Sequence, residues 1–193
     1  MIDGTLAGLL QAARFTLQDP RAGARAMMAM GLPMSVRWLA FGVVVTGSSL
    51  LTVLAIQFSP AGRDPAVAQV LSQPIALAGL QGAVLLVFAQ LMARVGQVAG
   101  GKGGFADALL LLTWVQVILM LLQLAQIVLE FVLPPVADLL GLLGLGLMFW
   151  LVTNFLAELH GFQSLGAVFA GVVGTILAAG FAVTVLLVTL VGV

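Results

Sequence analysis

Apolar residues along the chain gather into five long runs, at about 36–58, 74–98, 107–132, 136–159 and 164–191. An α-helix rises about 1.5 Å per residue, so each run is long enough to cross about 30 Å of hydrocarbon. A helix also satisfies its backbone polar groups within itself, as lipid requires of a spanning segment. The breaks between runs are short. Pro60, Gly62, Arg63, Asp64 and Pro65 form a polar turn, Gly100-Gly101-Lys102-Gly103-Gly104 a flexible loop, and His160-Gly161-Phe162 a tight connection. Pro134-Pro135 predicts a turn outside either helix, because proline cannot continue one.

Residues 1–33 follow a different pattern, that of two short amphipathic helices. Leu6, Leu9, Leu10, Ala13 and Leu17 recur at helical spacing, with Gln11 and Arg14 off that face. Asp19 predicts an N-cap and Pro20 suits the first helical position. Ala24, Met27, Met28 and Leu32 then make a second apolar face opposed by Arg21 and Arg25, and Pro33 ends it. With Asp3, Arg14, Asp19, Arg21 and Arg25 in this stretch there is no long apolar core of the secretory-signal kind. Two readings stand: a helix lying on the membrane surface with its arginines toward lipid phosphates, or a docking helix for a partner. The fold expected is all-α, a polytopic transmembrane helix bundle of about five spans. A cytoplasmic amphipathic segment, 1–33, precedes a transmembrane domain, 34–193.

Composition removes the soluble alternative. Hydrophobic residues make up 62% of the 193 and charged residues 7%, against about 45–50% and about 25% in a soluble domain. Seven basic and seven acidic residues balance to zero, which excludes the basic footprint of a nucleic-acid binder. There is no cysteine, and hence no disulfide, thiolate site or cysteine nucleophile. The bias toward arginine, alanine, glycine, leucine and valine points to a bacterial chain from a GC-rich genome, and so to the inner (cytoplasmic) membrane. With the N-terminus in the cytoplasm, Arg14, Arg21, Arg25, Arg37, Arg94 and Lys102 fall on that side and Arg63 on the other. This positive-inside asymmetry places the C-terminus outside.

Polar groups inside spans are costly, and so informative. Thr113, Gln116, Gln123, Gln126 and Glu130 form a stripe on the third span. It reads either as interhelical hydrogen bonding or as a hydrated path for a small solute. Glu130 lies near the outer end, where water reaches it. Gln90 and Arg94 close the second span and Asn154 and Glu158 the fourth, all near the cytoplasmic rim. They are expected to approach one another, with Arg94 and Glu158 as an ion pair, or with a lipid phosphate on Arg94. Arg21, Arg25, Arg37 and Lys102 are candidate lipid head-group contacts. Small residues, Ala137, Gly141 and Gly144 on the fourth span and Ala167, Gly171, Gly174 and Ala178 on the fifth, predict close packing within the bundle. Trp38 suits the interfacial belt, whereas Trp114 and Trp150 read as packing groups.

Catalytic chemistry is hard to assemble from these residues. Lys102 sits among glycines, but the GxxxxGK[ST] phosphate loop is absent. His160, the single histidine, has no second nitrogen or sulfur ligand nearby in sequence and reads as a neutral residue at the bilayer rim. Asp107 and Glu158 could share a site, yet nothing supplies a nucleophile or a metal. No enzyme activity and no cofactor are expected, apart from bound lipids. The expected partners are membrane lipids and other membrane proteins.

Several short motifs carry a family resemblance. They are Asp19-Pro20-Arg21, then Gly100, Gly101, Gly104 and Phe105 ahead of the third span, then His160, Gly161, Phe162, Ser164 and Ala167 ahead of the fifth. Together with the five-span layout, this resembles the bacterial branch of the Yip family of membrane proteins. Eukaryotic members bind prenylated GTPases and help organise vesicle traffic. Their long soluble N-terminal region and GTPase-linked motif have no counterpart here, so that function does not transfer. Apolar span surface without a catalytic constellation leads instead to a scaffold, organiser or accessory subunit of a larger membrane assembly. The alternatives are a small permease or channel using the third-span stripe, and a lipid-binding membrane protein.

Overall fold

Asp19 shapes the N-terminal part of the fold. In the computed structural model, which describes residues 5–58, 64–65, 69 and 73–191, its backbone N–H bonds to the Phe15 carbonyl and ends α1 (Leu6–Gln18). Its carboxylate accepts from Ala22 N–H at 2.9 Å and begins α2 (Pro20–Ala29). One residue in an extended conformation thus closes one helix and caps the next, while Pro20 loses no hydrogen bond at the first helical position. α2 runs out at Gly31, which takes the left-handed φ of 58°.

Five long helices follow: α3 (Met34–Phe58), α4 (Pro74–Val98), α5 (Phe105–Val132), α6 (Pro134–His160) and α7 (Leu165–Val191). Each is long and apolar enough to span a bilayer. Pro60, Gly62 and Arg63 of the expected polar turn lie outside the described residues. The third break differs from expectation. Pro134 and Pro135 are the first turn of α6, and the chain turns at Leu133 alone (φ −147°). Proline is tolerated there because the first N–H groups of a helix have no intrahelical acceptor to lose.

α5 is the axis of the bundle. It packs against α3, α4, α6 and α2, and half of its span is buried against 11% for α7. Leu109 and Leu111 of α5 meet Leu151 and Phe155 of α6 in a fully buried core. The small-residue stripe of α6 works as predicted: a side chain at Gly141 or Gly144 would run into Gln126 or Leu122 of α5. The stripe of α7 does not. Added side chains at Gly171 and Gly174 would meet nothing, and α7 packs mainly along α6 as a peripheral helix. α1 and α2 form a hairpin in which α2 rests on α6 and α5. The described helices are therefore one α-helical bundle with five candidate spans and two short helices at its N-terminal side.

A candidate functional site at the basic end of the bundle

The His160-Gly161-Phe162 and glycine-loop motifs meet in space. His160, the last residue of α6, is buried, with its imidazole wedged between α4 and the α4–α5 loop. Its Nε2–H donates to the Met92 carbonyl at 3.0 Å, and Nδ1 accepts from the Gly103 N–H at 3.1 Å. The neutral ring meets both partners at once, one nitrogen donating and one accepting. Phe162 stacks on the ring, with centroids 5.4 Å apart. This packing explains the glycines. A Cβ on Gly96 or Gly101 would overlap the imidazole, and one on Gly103 would overlap Leu159. Gly100 takes φ 90° to turn the chain. The loop expected to be flexible is instead tied down: Gly101 N–H to Gly96 O (2.8 Å), Gln97 Nε2 to Gly103 O (2.8 Å), and the His160 bond. Lys102 is exposed at its surface.

The charged groups of this end form two clusters. In the first, Glu158 on α6 accepts from Arg21 Nε (3.1 Å) on one carboxylate oxygen and from Arg25 Nε (2.9 Å) on the other, while Arg21 Nη2 also donates to Phe162 O (3.1 Å). In the second, Arg37 at the start of α3 donates to Asp107 at 2.6 Å and to the Leu32 carbonyl at 2.8 Å. Deeper along α5, Trp114 Nε1–H donates to Thr16 Oγ1 of α1 at 3.0 Å, and the Thr16 hydroxyl bonds back to Ala12 O. A side chain at Gly23 would strike Thr16, so α1 and α2 approach at a glycine. The N-terminal hairpin is thus fixed to the bundle by an arginine pair, a buried indole bond and the buried residues Ala24 and Met27.

These contacts correct several expectations. Arg94 does not pair with Glu158; it is exposed on α4, without an ion pair among the described residues, and Gln90 is exposed one turn away. Asn154 is buried but bonds its own helix at Trp150 O. The expected rim cluster therefore does not assemble, because the arginines of α2 occupy both oxygens of Glu158. Arg37, expected at the head groups, is 8% exposed and faces inward. Arg21 and Arg25, expected at the head groups, both bind Glu158, and the Arg25 side chain stays 67% exposed.

The intramembrane stripe divides among neighbours. Thr113 bonds its own helix at Leu109 O, Gln123 reaches Thr52 of α3 at 3.4 Å, and Gln126 lies against Gly141 of α6. Gln116 and Glu130 are half-buried and make no hydrogen bond to a described residue. A stronger polar contact is one that periodicity does not reveal. Gln81 of α4 sits between two serines of α3, accepting from Ser49 Oγ and donating to Ser48 Oγ, each at 2.7 Å. Adjacent serines in one span and a glutamine well inside the next are its signal in the sequence, since each needs a partner in lipid. A cavity of about 370 Å³ lies between α4 and α7 and one of about 340 Å³ between α1 and α2; neither touches Gln116 or Gln123. Among the described residues, no group of three or more histidine, aspartate or glutamate side chains could hold a metal ion.

No curated protein and no solved structure shows significant similarity to the chain. The family model of the Yip1 domain, however, matches residues 15–187, from the end of α1 into the last turns of α7 and through the glycine loop, His160 and the arginines of α2. The span pattern, the glycine loop closed on His160 and this match agree: the chain is a multi-span membrane protein that belongs to the Yip1 domain family.

Proposed function

We propose that this protein is a non-enzymatic scaffold or accessory subunit of a larger membrane assembly, with its N-terminal hairpin as the partner-binding element. One observation carries the reading. The hairpin is firmly attached through Glu158, Trp114 and Thr16, yet only part of the face that the sequence marks as apolar turns inward: Ala13 and Leu9 pack into the core, and the rest points away from the bundle. Leu6, Leu10 and Leu17 are exposed, at 69%, 49% and 42%. A fixed helix with an outward apolar stripe at i, i+4 and i+11 suits the apolar face of another membrane protein's helix, read through the same spacing. The basic end is proposed to face the cytoplasm of a bacterial cell, following the arginine and lysine asymmetry.

The test is isolation from native membrane in mild detergent, alongside the double variant Leu6→Glu/Leu10→Glu. The reading expects a defined membrane-protein partner with the wild-type chain and its loss with the variant, whose bundle stays folded. A wild-type chain recovered only as a lone monomer would overturn it. The stripe on α5 gives little support to a channel, since Gln123 and Gln126 turn toward different helices.

A further inference from the structure

The groove between α4 and α7 has the dimensions of half a bilayer. Its wall on α4 runs from Phe88 to Ala99 and its wall on α7 from Ser164 to Thr175. Each wall is thus eleven residue steps long, or about 17 Å at about 1.5 Å per step, close to half of an about 30 Å hydrocarbon core. Val168 and Val172 form the buried floor. Gly171 leaves the middle of the wall open, since a side chain there would meet nothing. α4 and α7 are not closely packed on each other, so the groove opens sideways toward the bilayer. Its volume of about 370 Å³ lies within the usual range of small-molecule sites, about 300–1,000 Å³.

Two arginines lie beside the rim of the groove. Phe162, Gln163 and Ser164 close it at the basic end, and the Phe162 carbonyl holds Arg21. Arg21 and Arg25 share the single carboxylate of Glu158, so one positive charge there is not neutralised by the pair. The exposed Gln163 makes no hydrogen bond to a described residue. The first turn of α7 adds backbone N–H groups and the positive end of the helix dipole, with Ser164 Oγ accepting from the Ala167 N–H.

We propose that this groove is a binding site for one anionic phospholipid. One acyl chain lies along Val168, Gly171 and Val172, and the phosphate sits over the Phe162–Ser164 rim beside Arg21 and Arg25. Length selects an acyl chain running from rim to mid-bilayer, and the second guanidinium on Glu158 selects a negative head group. The site is separate from the apolar stripe of α1 and does not depend on what that stripe binds.

The experiment uses the full chain in phosphatidylcholine vesicles carrying a trace of chain-labelled, spin-labelled phosphatidylglycerol or spin-labelled phosphatidylcholine. Electron paramagnetic resonance then reads the immobilised fraction. Wild-type protein is expected to favour phosphatidylglycerol by about fivefold, as one basic charge near a membrane surface implies. Gly171→Leu fills the groove and is expected to remove the preferentially bound component. Ala167→Leu, on the same wall, provides a second filled groove. Arg25→Gln is expected to keep the chain bound but bring phosphatidylglycerol down to the phosphatidylcholine level. Equal immobilisation of the two lipids by wild-type protein would overturn the proposal, and that result needs no variant to fold. Full selectivity in a folded groove-filling variant would overturn the groove assignment, and full selectivity in Arg25→Gln would overturn the head-group assignment.

Discussion

His160 shows how one side chain fixes the sequence around it. Its ring occupies the space that side chains at positions 96 and 101 would need, so Gly96→Ala and Gly101→Ala should each cost about 1–3 kcal/mol, the usual penalty of overpacking. Reversible unfolding of the detergent-solubilised chain in SDS would measure this. The sharper expectation concerns coupling. In His160→Ala the extra methyl of Gly96→Ala meets no ring, so the double variant should be more stable than the sum of the single effects predicts. Strict additivity would show that the ring is not what position 96 avoids. Gly171→Ala is the control: with open space around it, a helical glycine exchanged for alanine should be neutral or stabilising by up to about 1 kcal/mol. The arginines on Glu158 divide similarly. The Arg25 side chain is 67% exposed and that of Arg21 29%. Arg25→Ala should therefore cost at most about 1 kcal/mol, as exposed ion pairs do. Arg21→Ala also gives up the Phe162 carbonyl bond and should cost more in the same assay.

At the scale of helices, two contacts hold elements that no local rule brings together. Gln81 joins α4 to α3 through Ser48 and Ser49, and Gln81→Leu should weaken that pair by about 0.6–1.7 kcal/mol, the range for hydrogen bonds between membrane helices. An SDS-unfolding midpoint unchanged from wild type would mean that the serines find equal partners without it. Trp114 and Thr16 hold the N-terminal hairpin. Trp114→Phe keeps most of the apolar contact but drops the indole N–H, so the hairpin should open more often. The chain has no cysteine, so a single Ala13→Cys can report that opening. Ala13 is buried, and its labelling by a water-soluble maleimide should speed up in the Trp114→Phe background. The same elements divide into those legible from sequence and those not. Asp19-Pro20, the five apolar runs and the small stripe of α6 are readable because capping, span length and close approach are local or periodic properties. The pairing of Glu158 is not. A carboxylate four residues from Asn154 and an arginine at the same depth suggest Arg94, but the choice among arginines depends on where α2 lands, 133 and 137 residues away in the chain. The glycine loop misleads for a related reason: glycine marks either freedom or crowding, and only the buried ring of His160 decides for crowding.

For the whole molecule, the decisive quantity is which ends of the helices share a side. The hairpin, the glycine loop and His160 gather at one end, whereas Leu133 turns the chain between α5 and α6 at the far end of α5, a helix of 28 residues. At about 1.5 Å per residue, that separation is about 42 Å, more than the hydrocarbon thickness, so Lys102 and Leu133 must lie on opposite faces of the membrane if α5 spans it. Single-cysteine variants Lys102→Cys and Leu133→Cys test both the span and its direction. The arginine asymmetry, with Arg21, Arg25, Arg37, Arg94 and Lys102 at the hairpin end, predicts a cytoplasmic location for that end. A membrane-impermeant maleimide should therefore label Leu133→Cys in intact spheroplasts and Lys102→Cys only after the membrane is opened. Labelling of both from one side would remove α5 as a span. Reversal of the two would keep the fold but invert it, and the hairpin's apolar stripe would then face partners outside the cell.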